Sequence, residues 1–190
     1  MDQQRRTILG AAAAGAAAAM LAGAGTQGSA QAATPAKTTP GKPGDFNFLA
    51  GEWRIKHQRQ PPGAKAWDEF EGEATCWNIL GGVGSVEELR IPARNFSGMG
   101  LRLLDVTNRV WSDFWVNGKS GVLTTPGQTG SFENGAGIFL ADDVDDGKPI
   151  KVRGVWDQIT PTSCQWSQAI SRDGGRTWEE NWVMKWTRVK

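Results

Sequence analysis

The stretch Ser171 to Trp182, SRDGGRTWEENW, decides how this chain is read. Ser171, Asp173, Gly175, Thr177 and Trp178 form the pattern S-x-D-x-G-x-T-W, which suits either one blade of a repeated propeller or a single hairpin turn. A propeller needs at least about four blades of four strands each, with self-similarity at a period of roughly 40–50 residues. The chain has 190 residues, one copy of the pattern and no such repeat. The hairpin reading therefore stands. Ser171 and Asp173 can bond nearby backbone N–H groups, Gly174 and Gly175 can take positive φ, and Trp178 can pack over the turn.

Outward from this turn, short alternating runs recur between Gly, Asn and Asp punctuation, and no segment after Gly41 keeps a helical period for three turns. In GEWRIKHQR, Trp53, Ile55 and His57 share one face and Arg54, Lys56 and Gln58 the other. Further runs are AWDEFEGEATCWNIL, SVEELRI, GMGLRLLDV, RVWSDFWVN, GSFENGAGIFLADD, PIKVRGVWDQIT, SCQWSQAIS and TWEENWVMKWTRV. Turns every 8–15 residues or so describe an all-β antiparallel meander. About ten strands in this order predict an up-and-down barrel, because closure removes the two aggregation-prone edges.

The ends carry a different signal. Arg5 and Arg6 precede an Ala/Gly-rich run from Leu9 to about Gly25, and Ala30-Gln31-Ala32 supplies a small-x-small cleavage pattern. Residues 1–32 read as a twin-arginine signal peptide, which predicts export to the periplasm or the exterior. The run is too short, and too broken by glycine, for the roughly 20 apolar residues of a membrane span. Residues 33–44 read as a Pro/Lys/Thr linker and residues 45–190 as the barrel domain. Loss of Arg5, Arg6 and Asp2 with the leader brings the net charge from +1 to zero. A neutral exported domain offers no electrostatic footprint for nucleic acid.

Ten tryptophans, seven phenylalanines and no tyrosine either fill a core or line a stacking surface. His57 is the only histidine and shares the parity of Trp53, so it is expected inside. It reads as a satisfied barrel histidine, a ligand contact, or half of an acid/base pair with an inward glutamate. Glu87 and Glu88 are adjacent, so one faces in; Glu88 is the expected ligand contact. Arg153 could hold an anionic group by its fork, and Gln168 is expected beside it. Trp115, Trp156 and Trp182 are candidate cavity walls. Cys76 and Cys164 form an even pair in an oxidising compartment, so a disulfide is allowed.

No metal and no cofactor is expected. The acidic run Asp142–Gly147 misses the spacing of a calcium loop. No G-x-S-x-G elbow, phosphate loop or dinucleotide fingerprint is present.

DFNFLAGEW resembles the opening of lipocalin-like (calycin) barrels, in which a short helical turn leads into the first strand through G-x-W, here Gly51 and Trp53. The chain is further similar to a family of bacterial calycin-like proteins of unknown function. The similarity rests on His57 after G-x-W, Leu80-Gly81-Gly82 before Glu87 and Glu88, Trp111-Ser112 with Trp115, and Gly130 to Phe139. It continues through Val152, Arg153 and Trp156, Gln168 to Trp178, and Asn181, Trp182, Met184, Thr187 and Arg188. The resemblance implies a lipocalin-like barrel closed at its bottom by a basic residue over Trp53. Arg188 suits that role, with Lys185 as the alternative. Asp113 and Phe114 depart from the family pattern, which usually has an aliphatic residue and a tyrosine there.

Three functions follow as expectations: an exported barrel binding a small apolar or aromatic ligand inside, a barrel enzyme using His57 with Glu87 or Glu88, or a carbohydrate or envelope module using exposed tryptophans. The expected partner in the first is a small molecule.

Overall fold

A computed structural model describes residues 40–61 and 63–189. The leader, residues 1–32, lies outside the described residues, as does most of the segment read as a linker. Ten strands run in chain order: β1 Gly51–Arg59, β2 Asp68–Ile79, β3 Gly84–Ile91, β4 Phe96–Asp105, β5 Val110–Asn117, β6 Gln128–Glu133, β7 Ala136–Asp145, β8 Lys148–Asp157, β9 Ser163–Ser171 and β10 Glu179–Val189. Each pairs antiparallel with its chain neighbours, and β1 pairs with β10 to close the barrel. The expected up-and-down barrel is the observed fold, with 3-10 turns at Asn47–Leu49, Leu80–Gly82 and Pro92–Arg94.

The alternation read from sequence sets the inside. Trp53, Ile55 and His57 are each 1% exposed, while Arg54 and Lys56 face solvent. An eight-stranded barrel is just wide enough to be filled by side chains or to hold one small ligand. Two further strands widen this barrel, and indoles take up much of the space. Trp53, Trp111, Trp156 and Trp186 are at most 1% exposed. At about 25 cal/mol per Å² and roughly 150–250 Å² each, every such indole contributes on the order of 4–6 kcal/mol of transfer free energy.

The two ends differ in chemistry. The bottom is plugged by the chain before β1. Phe46 meets Trp111 edge-on at 5.0 Å and Phe132 at 4.9 Å, and Leu49 is fully buried. The plug reaches back into the supposed linker: Gly41 is buried, with its N–H donating to the Arg109 carbonyl at 2.7 Å. At the same end Arg188 lies 4.3 Å over the Trp53 ring and donates to the carbonyls of Ala50, Phe48 and Pro161 at 2.5, 2.6 and 2.8 Å. Trp53 donates its own indole N–H to Leu49 at 2.7 Å.

The top end carries the loops after β1, β3, β5, β7 and β9. The last of these is the SRDGGRTW turn. Asp173 accepts from the backbone N–H groups of Arg176 and Thr177, both at 2.9 Å, and from the Thr177 hydroxyl at 2.7 Å. Ser171 accepts from Gly175 at 2.7 Å, and Gly174 and Gly175 take φ of 79° and 97°. Trp178 folds back to donate to the Gly175 carbonyl. These donors hold the Asp173 carboxyl well below its ordinary pKa, Thr177 contributing most. The DDVDDG run is the β7–β8 hairpin turn. Asp146 and Gly147 sit at positive φ there, while Asp142 and Asp145 are paired with Lys151 and Arg172. Among the described residues no helix is long and apolar enough to cross a membrane, and no group of three or more acidic, His or Cys side chains could hold a metal.

Candidate functional site in the barrel interior

Seven of the ten indoles point inward, and five of them, Trp115, Trp156, Trp166, Trp182 and Trp186, wall a chamber of about 80 Å³ in the upper half of the barrel. Leu89, Phe114 and Met184 complete its apolar lining. Above it lies an open cavity of about 300 Å³, bordered by Arg59, Ile150, Val152, Ile170, Glu180 and Asn181. Gln168 borders both spaces.

A bulge in β10 shapes this boundary. Pairing with β9 shifts between Glu180 and Trp182, leaving Asn181 as the extra residue. Such a bulge re-aims the side chains around it. Here Trp182 turns inward, and the Asn181 carboxamide accepts from Gln168 Nε2 at 3.1 Å.

The polar heart of the chamber is a buried charge group. Arg102 on β4 donates from Nη2 to Glu87 on β3 at 2.6 Å, and from Nε to Asp113 on β5 at 3.4 Å. Their side chains are 5%, 2% and 16% exposed. The guanidinium also lies 5.1 Å from the Trp156 ring. Burial alone lowers the Arg102 pKa, but the charges of Asp113 and Glu87 more than reverse that and keep it ionised. Burial pushes the Asp113 carboxyl above its ordinary value, with Glu87 adding and Arg102 opposing. The Trp156 indole N–H faces toward Asp113 and favours its ionised form, yet does not reach hydrogen-bond geometry. Arg102 Nη1, Trp156 Nε1 and Trp186 Nε1 have no acceptor among the described residues. Each unmet buried donor costs about 1–3 kcal/mol, and for Trp156 Nε1 the nearby Asp113 carboxylate offsets part of that.

His57 is inside but outside this group. Its Nδ1 accepts from the Trp182 indole N–H at 3.2 Å, and its ring stacks on Phe70 at 4.5 Å with planes 9° apart. On the far face of Phe70, the Arg94 guanidinium sits 3.5 Å from the ring centroid. With Nδ1 accepting, the proton of the neutral ring is on Nε2, which has no partner among the described residues. Burial first and Arg94 second lower the His57 pKa to about 4. Among the described residues no carboxylate is hydrogen-bonded to either nitrogen, so the alternative reading of a His57 acid/base pair with Glu87 or Glu88 finds no such contact.

Three sequence expectations need correction. Glu88 is not a chamber residue: its side chain is 52% exposed and bonds Arg90 at 3.0 Å outside the wall. Glu87 takes the inward place, because Ser85, Leu89 and Ile91 share its parity and are all buried. Arg153 also faces outward, 4.4 Å over the Trp178 ring, because Ile150, Val152 and Trp156 claim the inward face of β8. Cys76 and Cys164 are both free. Their strands β2 and β9 are separated by β1 and β10, about 14 Å along the wall at roughly 4.8 Å per strand, beyond the ~7 Å that a disulfide tolerates.

Trp115, Trp156, Trp182 and Gln168 do line the chamber. Exposed tryptophans do not form a strip. Trp67 and Trp77, 41% and 47% exposed, lie at opposite ends of β2, roughly 33 Å apart along an extended chain. Sequence reasoning passed over Arg102, Asp113, Gln128 and Trp166. Asp113 shares the parity of Trp111 and Trp115, which signals an inward carboxylate. Arg102 has no such signal, since Met99, Leu101 and Leu103 make the opposite face of β4 apolar too.

No protein-family model matches the chain, and no curated protein matches it. Among solved structures it is similar to a redesigned β-barrel, at 11% identity over 79% of this chain and 99% of that one, TM-score 0.43. It is also similar to a protein of unknown function from the DUF3598 family of Nostoc punctiforme, at 14% identity and TM-score 0.44 over 83% of this chain and 53% of that one. A third is EF1p2_mFAP2b bound to DFHBI, at 11% identity, 77% and 98% coverage and TM-score 0.40. At these identities the likeness concerns the fold and carries no activity across.

Proposed function

We propose that this protein is an exported, lipocalin-like barrel that binds a small apolar or aromatic molecule in its interior. The observation that carries this reading is the indole-walled chamber bordered, through Gln168, by the wider mouth above it. Ligand sites are concave, mostly apolar and furnished with a few polar groups, as this one is. At about 80 Å³ the chamber is smaller than an engineered 150 Å³ cavity that holds benzene, so a bound molecule extends from the chamber into the mouth. The stack of Arg188 over Trp53 seals the opposite end and supports the calycin resemblance. The twin-arginine leader supports a periplasmic or secreted location.

The test is a fluorescence titration with the neutral aromatic probe N-phenyl-1-naphthylamine, in wild type and in Gly98→Ala. A Cβ at Gly98 collides with the Trp115 ring, so that part of the chamber wall must shift. Saturable quenching of tryptophan emission in the wild type, weakened about ten-fold in the variant, is the expected result. Quenching that never saturates, or that the variant leaves unchanged, removes the interior as the binding site.

A further inference from the structure

The mature domain is neutral as a whole, yet its interior is not. In the chamber two carboxylates, Glu87 and Asp113, share the single guanidinium of Arg102. They share it unequally. Glu87 accepts from Nη2 at 2.6 Å, whereas Asp113 lies 3.4 Å from Nε, longer than the roughly 2.7–2.9 Å of a charged hydrogen bond. Burial raises the Asp113 pKa, as expected of a carboxylate short of a counter-charge in a poorly solvated place. The mouth above has the same sign, since Asp143, Asp145, Glu179 and Glu180 border it against Arg59 and Arg172.

Exposure decides which charge a ligand meets. Asp113 lines the chamber, shares the inward parity of Trp111 and keeps 16% of its side chain accessible, against 5% for Arg102 and 2% for Glu87. The accessible charge is therefore the carboxylate. An anionic ligand adds a third negative charge to this group, and a neutral one leaves Asp113 short of its counter-charge. A cation supplies it, and indole is the side chain that best receives a cation over its ring. Two of the five wall indoles already do so: Arg59 lies 4.8 Å from the Trp182 ring and Arg102 lies 5.1 Å from that of Trp156. An alkylated ammonium brings apolar methyl surface to a wall made mostly of indole, Leu89 and Met184, and is less costly to desolvate than an ammonium with three N–H groups.

We infer that the ligand is an alkylated ammonium ion whose head enters the chamber beside Asp113, with the rest of the molecule extending past Gln168 into the mouth. This inference rests on the interior being the ligand site, as proposed above, and it fixes the charge and the orientation of the ligand.

Three probes of one shape separate the possibilities: phenyltrimethylammonium, its neutral carbon analogue tert-butylbenzene, and the anion benzenesulfonate. Affinity is measured by calorimetric titration. The site is located by proton–nitrogen correlation of the indole N–H signals in the exported protein, with Trp156→Phe and Trp166→Phe assigning two of them. Phenyltrimethylammonium is expected to shift the chamber indole signals and to bind about ten-fold more tightly than tert-butylbenzene, with benzenesulfonate weakest. Asp113→Asn keeps the shape of the side chain and removes its charge. It should bring the two affinities to within about three-fold of each other while leaving tert-butylbenzene within about two-fold of its wild-type value. If tert-butylbenzene binds the wild type as well as the cation does, the inference falls and the apolar-ligand reading stands. Tightest binding by benzenesulfonate overturns it in favour of an anion. A preference for the cation that survives Asp113→Asn, or equal losses for both ligands in that variant, removes Asp113 as the partner and the inference with it. If none of the three perturbs an indole signal of the chamber, both the inference and the interior-site reading fail.

Discussion

Arg102 and Glu87 face each other across β3 and β4 at 2.6 Å, both almost wholly removed from solvent. A pair buried this deeply contributes little net stability, because desolving both ions offsets their attraction, yet breaking it strands one charge. Its value here is placement, since Glu87 and Asp113 between them orient the guanidinium whose third nitrogen remains unpaired.

Removing one member and removing both should therefore differ. Arg102→Met alone is expected to cost about 3–5 kcal/mol, and Arg102→Met with Glu87→Leu to recover most of that loss. Urea unfolding of the three proteins measures it. Equal losses in the single and double variants would show that the pair has no such coupling.

Stability should fall in acid through His57. Its pKa drops from 6.5 in the unfolded chain to about 4 in the barrel. Between those values the unfolded chain binds a proton that the folded one refuses. The contribution is full above pH 6.5 and is lost as pH falls towards 4, an interval worth about 3 kcal/mol. Asp113 acts in the opposite sense, because its raised folded pKa removes stability as pH rises above the ordinary carboxylate range. Comparing wild type with His57→Gln at each pH isolates the histidine. The stability difference between the two proteins should shrink or change sign across pH 6.5 to 4, and a constant difference refutes the assignment.

The bottom closure depends on the shape of the Arg188 fork as well as its charge. Arg188→Lys keeps the charge but cannot reach three carbonyls and cover Trp53 at once. It should cost about 2–3 kcal/mol, from charged hydrogen bonds and the cation–π contact. A denaturation midpoint equal to that of the wild type would mean that the stack is not stabilising.

Both thiols should be inert in the folded protein. Burial first, then the Glu87 charge, push Cys164 up to about 12 and Cys76 higher still. Reaction with an aromatic disulfide reagent at pH 8 is expected only as the barrel opens, so its rate should follow the unfolding equilibrium. Two thiols titrating at once in native protein would place them at the surface.

Much of the fold was legible because it is written locally. Period-two alternation and Gly, Asn or Asp turns recur along the chain, and ten strands in sequence order close on themselves. Some of the site was legible by the same rule: Asp113 shares parity with Trp111 and Trp115, and Glu87 shares it with Leu89 and Ile91. Arg153 stands opposite Ile150, Val152 and Trp156, so its outward direction could have been read from its own strand. The bulge at Asn181 could not, since alternation along β10 gives no sign of where one residue drops out of register.

The sequence by itself determined the meander, its inward aromatic set and the single turn at Ser171 to Trp178, since each follows from contacts between near neighbours in the chain. Only the tertiary structure decided that Arg102 enters the core, because β4 is apolar on both faces. Its burial depends on Glu87 and Asp113 arriving from the strands on either side. A charge leaves water only where partners meet it, and which partners meet is set by strand pairing across the closed barrel.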